Sequence, residues 1–125
     1  MGLVLLDSSV LIGLINPEDK HHDAIMENFD SSNLFAISTL TLTEVLPHAV
    51  KQGIGLTVHK RLAQKLHQII DVSQEIAVSA ATIRAINGLR TPDAIISATA
   101  TAAGAKLWTC DAVLAKAHKG ARLIA

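Results

Sequence analysis

The sequence predicts an α/β protein, a three-layer α/β/α sandwich around a mostly parallel central sheet. Short aliphatic runs at LVLL, LFAIS and KLWT lack the alternation of a half-exposed strand and are typical of buried parallel strands. Segments with helix-capping residues separate these runs, so strands and helices alternate along the chain. Because no linker, low-complexity tract or internal repeat interrupts this pattern, residues 1–125 are interpreted as a single domain.

The first elements of the chain are a strand at LVLL and the helix that follows it. Asp7 and Ser8 provide capping groups for a helix over SVLIGLI, which ends near Asn16 and Pro17. EDKHHDAIMENF then predicts an exposed helix with an acidic first turn, and LFAIS, residues 34–38, predicts the second strand.

A second capped helix is predicted over TLTEVLPHAVKQG. Thr41 and Glu44 have the spacing of a capping box, which puts Glu44 in the first turn. Pro47 removes a backbone donor, so this helix either starts later than the box suggests or kinks at the proline. LTVHKRLAQKLHQ continues as a helix, with an inner side formed by Leu56, Leu62, Leu66 and Ile69 or Ile70.

The second half of the chain continues the alternation of strands and helices. A third strand lies in either IIDVS or EIAVS, and SAATIRAINGLR predicts a helix that stops near Gly88. In TPDAIISATATAAG, Thr91 is interpreted as the N-cap and Pro92 as the first helical residue. KLWT is the next strand, Asp111 to Lys119 a short helix, and ARLI a last strand.

Composition limits the classes of function. Half of the residues are hydrophobic but only 2% are aromatic, which predicts an aliphatic core and argues against an aromatic platform for single-stranded bases. The single cysteine, Cys110, cannot form an internal disulfide, which favours a reducing compartment. Neither a signal-peptide pattern nor an apolar stretch of about 18 residues is present, so we expect a cytoplasmic protein that does not enter a membrane.

The charges are unevenly distributed, although the net charge is zero. Residues 1–50 hold seven acidic residues and one basic residue, whereas residues 51–90 hold six basic and two acidic residues. This asymmetry indicates either a polyanionic partner or simply a polar protein with opposed faces.

Carboxylates occupy comparable positions on four predicted elements. Asp7 follows LVLL and Asp111 follows KLWT, while Glu44 and Asp93 lie in the first turns of helices. In open α/β sheets, ligands bind beyond the carboxyl ends of the strands, where the strand order reverses, so these acids can meet there. Each acid alone also fits a capping role or a favourable place in the helix dipole.

Gathered carboxylates favour a hard divalent cation, because like charges at one edge repel one another. Mg²⁺ accepts oxygen ligands, and no histidine or cysteine stands at metal-binding spacing, so the set favours Mg²⁺ or Mn²⁺ over zinc. Such ions can activate a water for in-line attack on a phosphodiester.

Four motifs in order, LLDSSVLI, TLTEVL, LRTPDAIISATA and LWTCD, resemble the PIN-domain family. At this length the chain is similar to the VapC-type ribonuclease toxins of toxin–antitoxin pairs, and the resemblance spans essentially the whole chain. It implies a three-layer fold and metal-dependent cleavage of RNA. It also implies the acidic metal-binding residues, which would be Asp7, Glu44, Asp93 and Asp111.

The resemblance further implies supporting residues and partners. Ser9 and Thr109 match hydroxyl residues that would hydrogen-bond the carboxylates or metal-bound water, although each also fits a cap or a strand end. No further acid follows Asp111, so the site can rest on three strong ligands and one peripheral carboxylate. The partners implied are an RNA substrate, a cognate antitoxin protein and a second copy in a homodimer.

Basic residues of the middle section are candidates for contacts with RNA phosphates. Lys and Arg would give salt-dependent affinity without sequence preference, and Arg90 is preferred because it lies three residues before Asp93. An ordinary solvated helix face is the alternative for each. The candidates are Arg90, Lys51, Lys60 and Arg61.

Other functional classes stay open at this point. One is a PIN-like ribonuclease of housekeeping RNA processing, and another is a catalytically silent PIN-like module that binds RNA or protein. A phosphoryl-acceptor enzyme or receiver domain is disfavoured, because DSS lacks the paired acids that it needs after the first strand. A nucleophilic role for Cys110 lacks a histidine positioned as its base.

Overall fold

The computed structural model describes residues 2–29 and 32–125. Strands and helices alternate as predicted. The strands are β1 (Leu3–Leu6), β2 (Leu34–Ser38), β3 (Gln68–Ile70), β4 (Lys106–Thr109) and β5 (Arg122–Leu123). The helices are α1 (Ser8–Ile15), α2 (His22–Asn28), α3 (Thr39–Val45), α4 (Pro47–Lys51), α5 (Gly55–Lys65), α6 (Gln74–Asn87), α7 (Thr91–Ala103) and α8 (Ala112–Ala117).

The sheet is parallel throughout, in the order β3-β2-β1-β4-β5. In the centre, Leu5 of β1 pairs with Ala36 of β2 on one side and with Leu107 of β4 on the other. Successive strands first extend the sheet from β1 through β2 to β3, and β4 then lies on the opposite side of β1. The strand order therefore reverses between β1 and β4, where an open sheet forms its ligand crevice.

Two apolar layers cover the two faces of the sheet, as the three-layer prediction requires. Val4 and Leu6 of β1 point into one layer, and Leu5 points into the other. The first layer includes buried residues of α1, α2, α3 and α5, and the second includes buried residues of α6, α7 and α8. Because both faces are covered, the carboxyl ends of the strands form the edge at which polar groups can gather.

The capping-box prediction for the second capped helix is wrong. Ser38, at the end of β2, caps α3 instead, since its Oγ accepts a hydrogen bond from the N–H of Leu40 over 3.1 Å. The helix therefore begins two residues before Thr41, and Glu44 lies in its last turn rather than its first. Pro47 divides the predicted helix, because α3 ends at Val45 and the proline begins α4.

Other element boundaries also differ from the predictions. Of the two candidates for the third strand, IIDVS contributes Ile69 and Ile70 to β3, whereas EIAVS lies inside α6 after a cap at Ser73. Arg90, with extended backbone and no side-chain capping bond, occupies the N-cap position of α7. The first helical residue is therefore Thr91, which was predicted as the N-cap, and not Pro92.

Burial along α5 agrees with the predicted inner face only in part. Leu62 is 8% exposed, as predicted, but Leu56 is 76% exposed because it lies in the first turn of α5, beyond the core. The predicted helix also ends earlier than expected, because Leu66 is its C-cap and Ile69 and Ile70 belong to β3. Gly88 and Gly104 end α6 and α7 with positive φ, a conformation that glycine adopts without a Cβ clash. Over the described ranges, no helix has the length and apolarity to cross a membrane.

Candidate functional site

Asp7 follows β1, and three hydrogen bonds fix its carboxylate. Its Oδ1 accepts from the backbone N–H of Ser8 over 2.8 Å, which caps α1. Its Oδ2 accepts from the hydroxyls of Ser9 over 2.9 Å and Thr109 over 2.8 Å. Asp7 is 8% exposed, so these donors provide the stabilisation that water would otherwise give to a buried carboxylate.

Asp111 lies after β4, the strand beside β1. Its Oδ1 accepts from the N–H of Val113 over 2.9 Å and caps α8. Its own N–H donates to the Thr109 hydroxyl over 3.0 Å, and that hydroxyl donates in turn to Asp7. Thr109 therefore links the two strand ends that carry these acids.

Asp93 lies in the first turn of α7 and is 8% exposed. Burial raises the pKa of this carboxyl, Arg90 counteracts the rise, and the charges of Asp111 and Asp7 add to it. Arg90 Nε is 3.4 Å from Asp93 Oδ2, but the arginine side chain is largely exposed. The carboxylates of Asp7 and Asp111 are therefore close enough to Asp93 for their charges to act on it, although the three acids lie on separate elements.

Glu44 approaches from α3, on the side of the sheet that carries α1. Its carboxylate is exposed, and its Oε1 accepts a hydrogen bond from the Ser8 hydroxyl over 2.6 Å. The sequence analysis assigned Ser8 a capping role only, but Asp7 is the N-cap of α1 and the Ser8 side chain contacts Glu44 instead. The available signal was that Ser8 directly follows Asp7 and begins a helix, where a short hydroxyl side chain can reach a neighbouring element.

Cavities flank the acids on two sides. One, of about 360 Å³, is lined by Arg90, Asp93 and Asp111. A second, of about 810 Å³, is lined by Glu44 and Lys51 among others. Two of the basic candidates from the sequence therefore line cavities that also contain acids.

The other two basic candidates lie elsewhere. Lys60 is on an exposed face of α5. Arg61 lines an apolar groove of about 640 Å³ whose wall includes Leu11, Phe29 and Phe35. None of the four acids lines this groove, so the structure separates Arg61 from the acidic crevice.

The acids fit a hard divalent cation by the chemistry of their donors. They offer carboxylate oxygens, and the raised pKa of Asp93 reflects burial and mutual repulsion that a cation would relieve. Within residues 2–29 and 32–125, no group of three or more His, Cys, Asp or Glu side chains is placed to hold a metal ion directly. Mg²⁺ often binds through one or two carboxylates and several waters, so wider spacing is compatible with it.

Cys110 lies beside this site without the features of a nucleophile. Burial raises the pKa of its thiol, which disfavours the reactive thiolate. Its backbone N–H donates to the Ser9 hydroxyl over 3.1 Å. Cys110 therefore contributes through its backbone to the network that holds Asp7.

Comparison with known proteins identifies relatives of this architecture. The model of the PIN domain family matches residues 4–120. A toxin–antitoxin complex from Klebsiella pneumoniae contains a chain with 31% sequence identity and a TM-score of 0.70, and the match covers 86% of each chain. No curated protein matches the sequence at a significant level.

More distant solved structures share the fold. The DNA-bound VapBC of Salmonella typhimurium has a TM-score of 0.74 at 23% identity, over 98% of this chain and 97% of the other. The sarcin–ricin loop cleaving toxin VapC20 of Mycobacterium tuberculosis has a TM-score of 0.75 at 16% identity, over 91% and 94%. At identities this low, the similarity shows only that these proteins share the three-layer fold.

Proposed function

Because this chain belongs to the PIN domain family, we propose that it is a metal-dependent endoribonuclease and the toxin of a type II toxin–antitoxin pair. The observation that carries the proposal is the electrostatic interaction of Asp93 with Asp7 and Asp111 at the β1–β4 crevice. The similar toxin VapC20, which cleaves the sarcin–ricin loop, supports RNA as the substrate class. A silent binding module would have no use for such repelling buried charges.

The proposed ligands of Mg²⁺ or Mn²⁺ are the acids of the crevice. Asp7, Asp93 and Asp111 would hold the ion directly or through water, and the exposed Glu44 would reach it from α3. When bound, the ion lowers the pKa of a coordinated water and neutralises charge on the phosphate. The four carboxylates would orient that water, and one of them would accept its proton.

The remaining polar residues would position the acids and the RNA. Thr109 and Ser9 hold the Asp7 carboxylate, which keeps its orientation independent of substrate. Arg90, exposed and weakly paired with Asp93, would bind a phosphate of the RNA. Lys51, in the cavity that contains Glu44, would bind a second phosphate.

Cleavage assays with and without metal test this function. We expect the purified protein to cleave RNA with Mg²⁺ or Mn²⁺ and to stop when EDTA is added. Asp7→Asn and Asp93→Asn should abolish cleavage, while circular dichroism shows an intact fold. Unchanged cleavage by both variants in EDTA would exclude the metal mechanism.

The apolar groove is the proposed docking surface for the antitoxin. Its wall is aliphatic and aromatic, and Arg61 and Lys65 are its charged lining residues. An antitoxin segment with apolar side chains and adjacent acidic residues would complement it. The Klebsiella pneumoniae relative is part of a toxin–antitoxin complex, which supports a protein partner of this kind.

Co-purification with the protein encoded by the neighbouring reading frame tests the groove. Ile15 lines the groove and is 50% exposed, so Ile15→Glu should disrupt binding without unfolding the chain. The matched control is Ile86→Glu at a 76% exposed position on α6, which should leave binding unchanged. Equal binding by both variants would place the antitoxin elsewhere.

We also propose that the protein forms a homodimer, as in the family that it resembles. Light scattering coupled to size-exclusion chromatography should report twice the mass of one chain. A mass equal to one chain across a range of concentrations would contradict the dimer.

A further inference from the structure

We propose that Ser8 is a positioning residue whose hydroxyl fixes the Glu44 carboxylate beside Asp7, an inference that rests on the proposed function of these acids. Ser8 is 8% exposed and begins α1. Glu44 lies on α3, 36 positions later in the sequence, and its side chain is exposed. The contact therefore joins a buried side chain to an exposed one.

The geometry of the contact is that of a charge-assisted hydrogen bond. Ser8 Oγ lies 2.6 Å from Glu44 Oε1, within the range typical of a hydroxyl that donates to a carboxylate. Most buried hydroxyls in proteins have a hydrogen-bond partner, and Glu44 is the partner of Ser8. This one bond therefore gives the buried Ser8 hydroxyl an acceptor and also restrains the Glu44 carboxylate.

Ser8 also contacts a second acid through its backbone. Its N–H donates to Asp7 Oδ1 over 2.8 Å, while its side chain donates to Glu44. One residue therefore holds two of the four candidate ligands in a fixed relation. The bond is to Oε1, and a carboxylate has further acceptor capacity on both oxygens with which it can bind water or a cation.

The restraint matters because Glu44 is otherwise poorly held. It lies in the last turn of a short helix, directly before the break at Leu46 and Pro47. A long exposed side chain in that position loses conformational entropy when it is ordered. The Ser8 hydroxyl provides that ordering before the ion binds.

Calorimetric titration with Mn²⁺, without RNA, tests the consequence for metal binding. Ser8→Ala keeps the backbone contact with Asp7, and we expect it to raise the dissociation constant about tenfold. When Ser8→Ala is added to the Glu44→Ala variant, it should cause no further loss of Mn²⁺ affinity. Ser8→Thr, which retains the hydroxyl, should restore the affinity, and Ser79→Ala, at an exposed serine of α6, should leave it unchanged.

A role independent of Glu44 would give a different result. If Ser8→Ala weakens Mn²⁺ binding equally in the wild-type and Glu44→Ala backgrounds, the proposal is overturned. The same conclusion follows if Ser8→Ala leaves the affinity unchanged.

Urea unfolding in EDTA tests the contact without any metal. Ser8→Ala should lower the urea midpoint more in the wild-type background than in Glu44→Ala, because the partner is already lost there. Equal shifts in the two backgrounds would overturn the proposal. If the wild type binds no Mn²⁺ while the difference in midpoints persists, the proposed function fails and the positioning contact stands.

Discussion

Thr109 donates its hydroxyl to Asp7 over 2.8 Å, although 102 positions separate the two residues in the sequence. The same hydroxyl accepts the backbone N–H of Asp111 over 3.0 Å. A single side chain therefore couples the ends of β1 and β4, and both candidate ligands depend on it.

Removing that hydroxyl should destabilise the fold. Thr109→Val keeps the shape but removes a buried donor to a charged acceptor, so we expect a loss of about 1.5–3 kcal/mol in the free energy of unfolding. Thr109→Ser keeps the hydroxyl and should lose much less of the free energy of unfolding. Urea denaturation in EDTA measures both, and equal losses would show that packing rather than the hydroxyl matters.

Asp93→Asn should separate activity from stability. The substitution removes a charge that is destabilised by burial and by the neighbouring acids Asp111 and Asp7, so we expect the metal-free protein to melt a few degrees higher. RNA cleavage should be lost. A lower melting temperature in EDTA would contradict this account, since the exposed Arg90 contributes little to the ion pair.

Arg90→Ala should weaken RNA binding in a salt-dependent manner. Loss of one phosphate contact reduces the slope of log affinity against log salt by about 1. Fluorescence anisotropy in EDTA, where cleavage is prevented, measures this slope. Lys119→Ala, an exposed lysine between α8 and β5, is the matched control, and an equal change in both variants would remove Arg90 from the interface.

His118 should make stability depend on pH. Burial lowers the pKa of this imidazole from 6.5, so the unfolded chain binds the proton more readily than the folded one. The free energy of unfolding should therefore fall as the pH decreases from about 6.5. His118→Asn should flatten this dependence, while His59→Asn, at an exposed position on α5, should preserve it.

Thr41→Val should stabilise the protein. Thr41 is fully buried, and its hydroxyl has no hydrogen-bond partner among residues 2–29 and 32–125, so replacing it with a methyl group should add about 1 kcal/mol to the free energy of unfolding. Thr43→Val is the control, because the exposed Thr43 hydroxyl donates to the Leu40 carbonyl oxygen. Removing that hydroxyl should not stabilise the protein. Unfolding of both variants by urea distinguishes them.

The fold was largely predictable because its signals are local. LVLL, LFAIS and KLWT coincide with β1, β2 and β4, since continuous aliphatic runs are buried on both faces of a parallel sheet. Asp7 and Asp111 were each predicted to follow a strand, and they do. That these strands are neighbours in the sheet is a matter of strand order, which the alternation of elements does not specify.

Features that depend on tertiary contacts were not predictable. Thr41 and Glu44 match a capping box, but Ser38 at the strand end competes successfully for the cap, and sequence spacing cannot rank the two. Arg61 was grouped with Arg90 by charge, yet it faces the apolar groove. The Ser8 contact with Glu44 was missed because the side-chain direction at a helix start depends on the neighbouring helix.

The position of β1 in the sheet has a consequence for protein synthesis. β1 is made before its neighbour β4, which follows about a hundred residues later, so a nascent chain at first lacks both the strand that pairs with Leu6 and the hydroxyl that holds Asp7. The crevice can assemble only after β4 has left the ribosome. Under the proposed function, the enzyme therefore stays inactive toward RNA until β4 has been synthesised and has paired with β1.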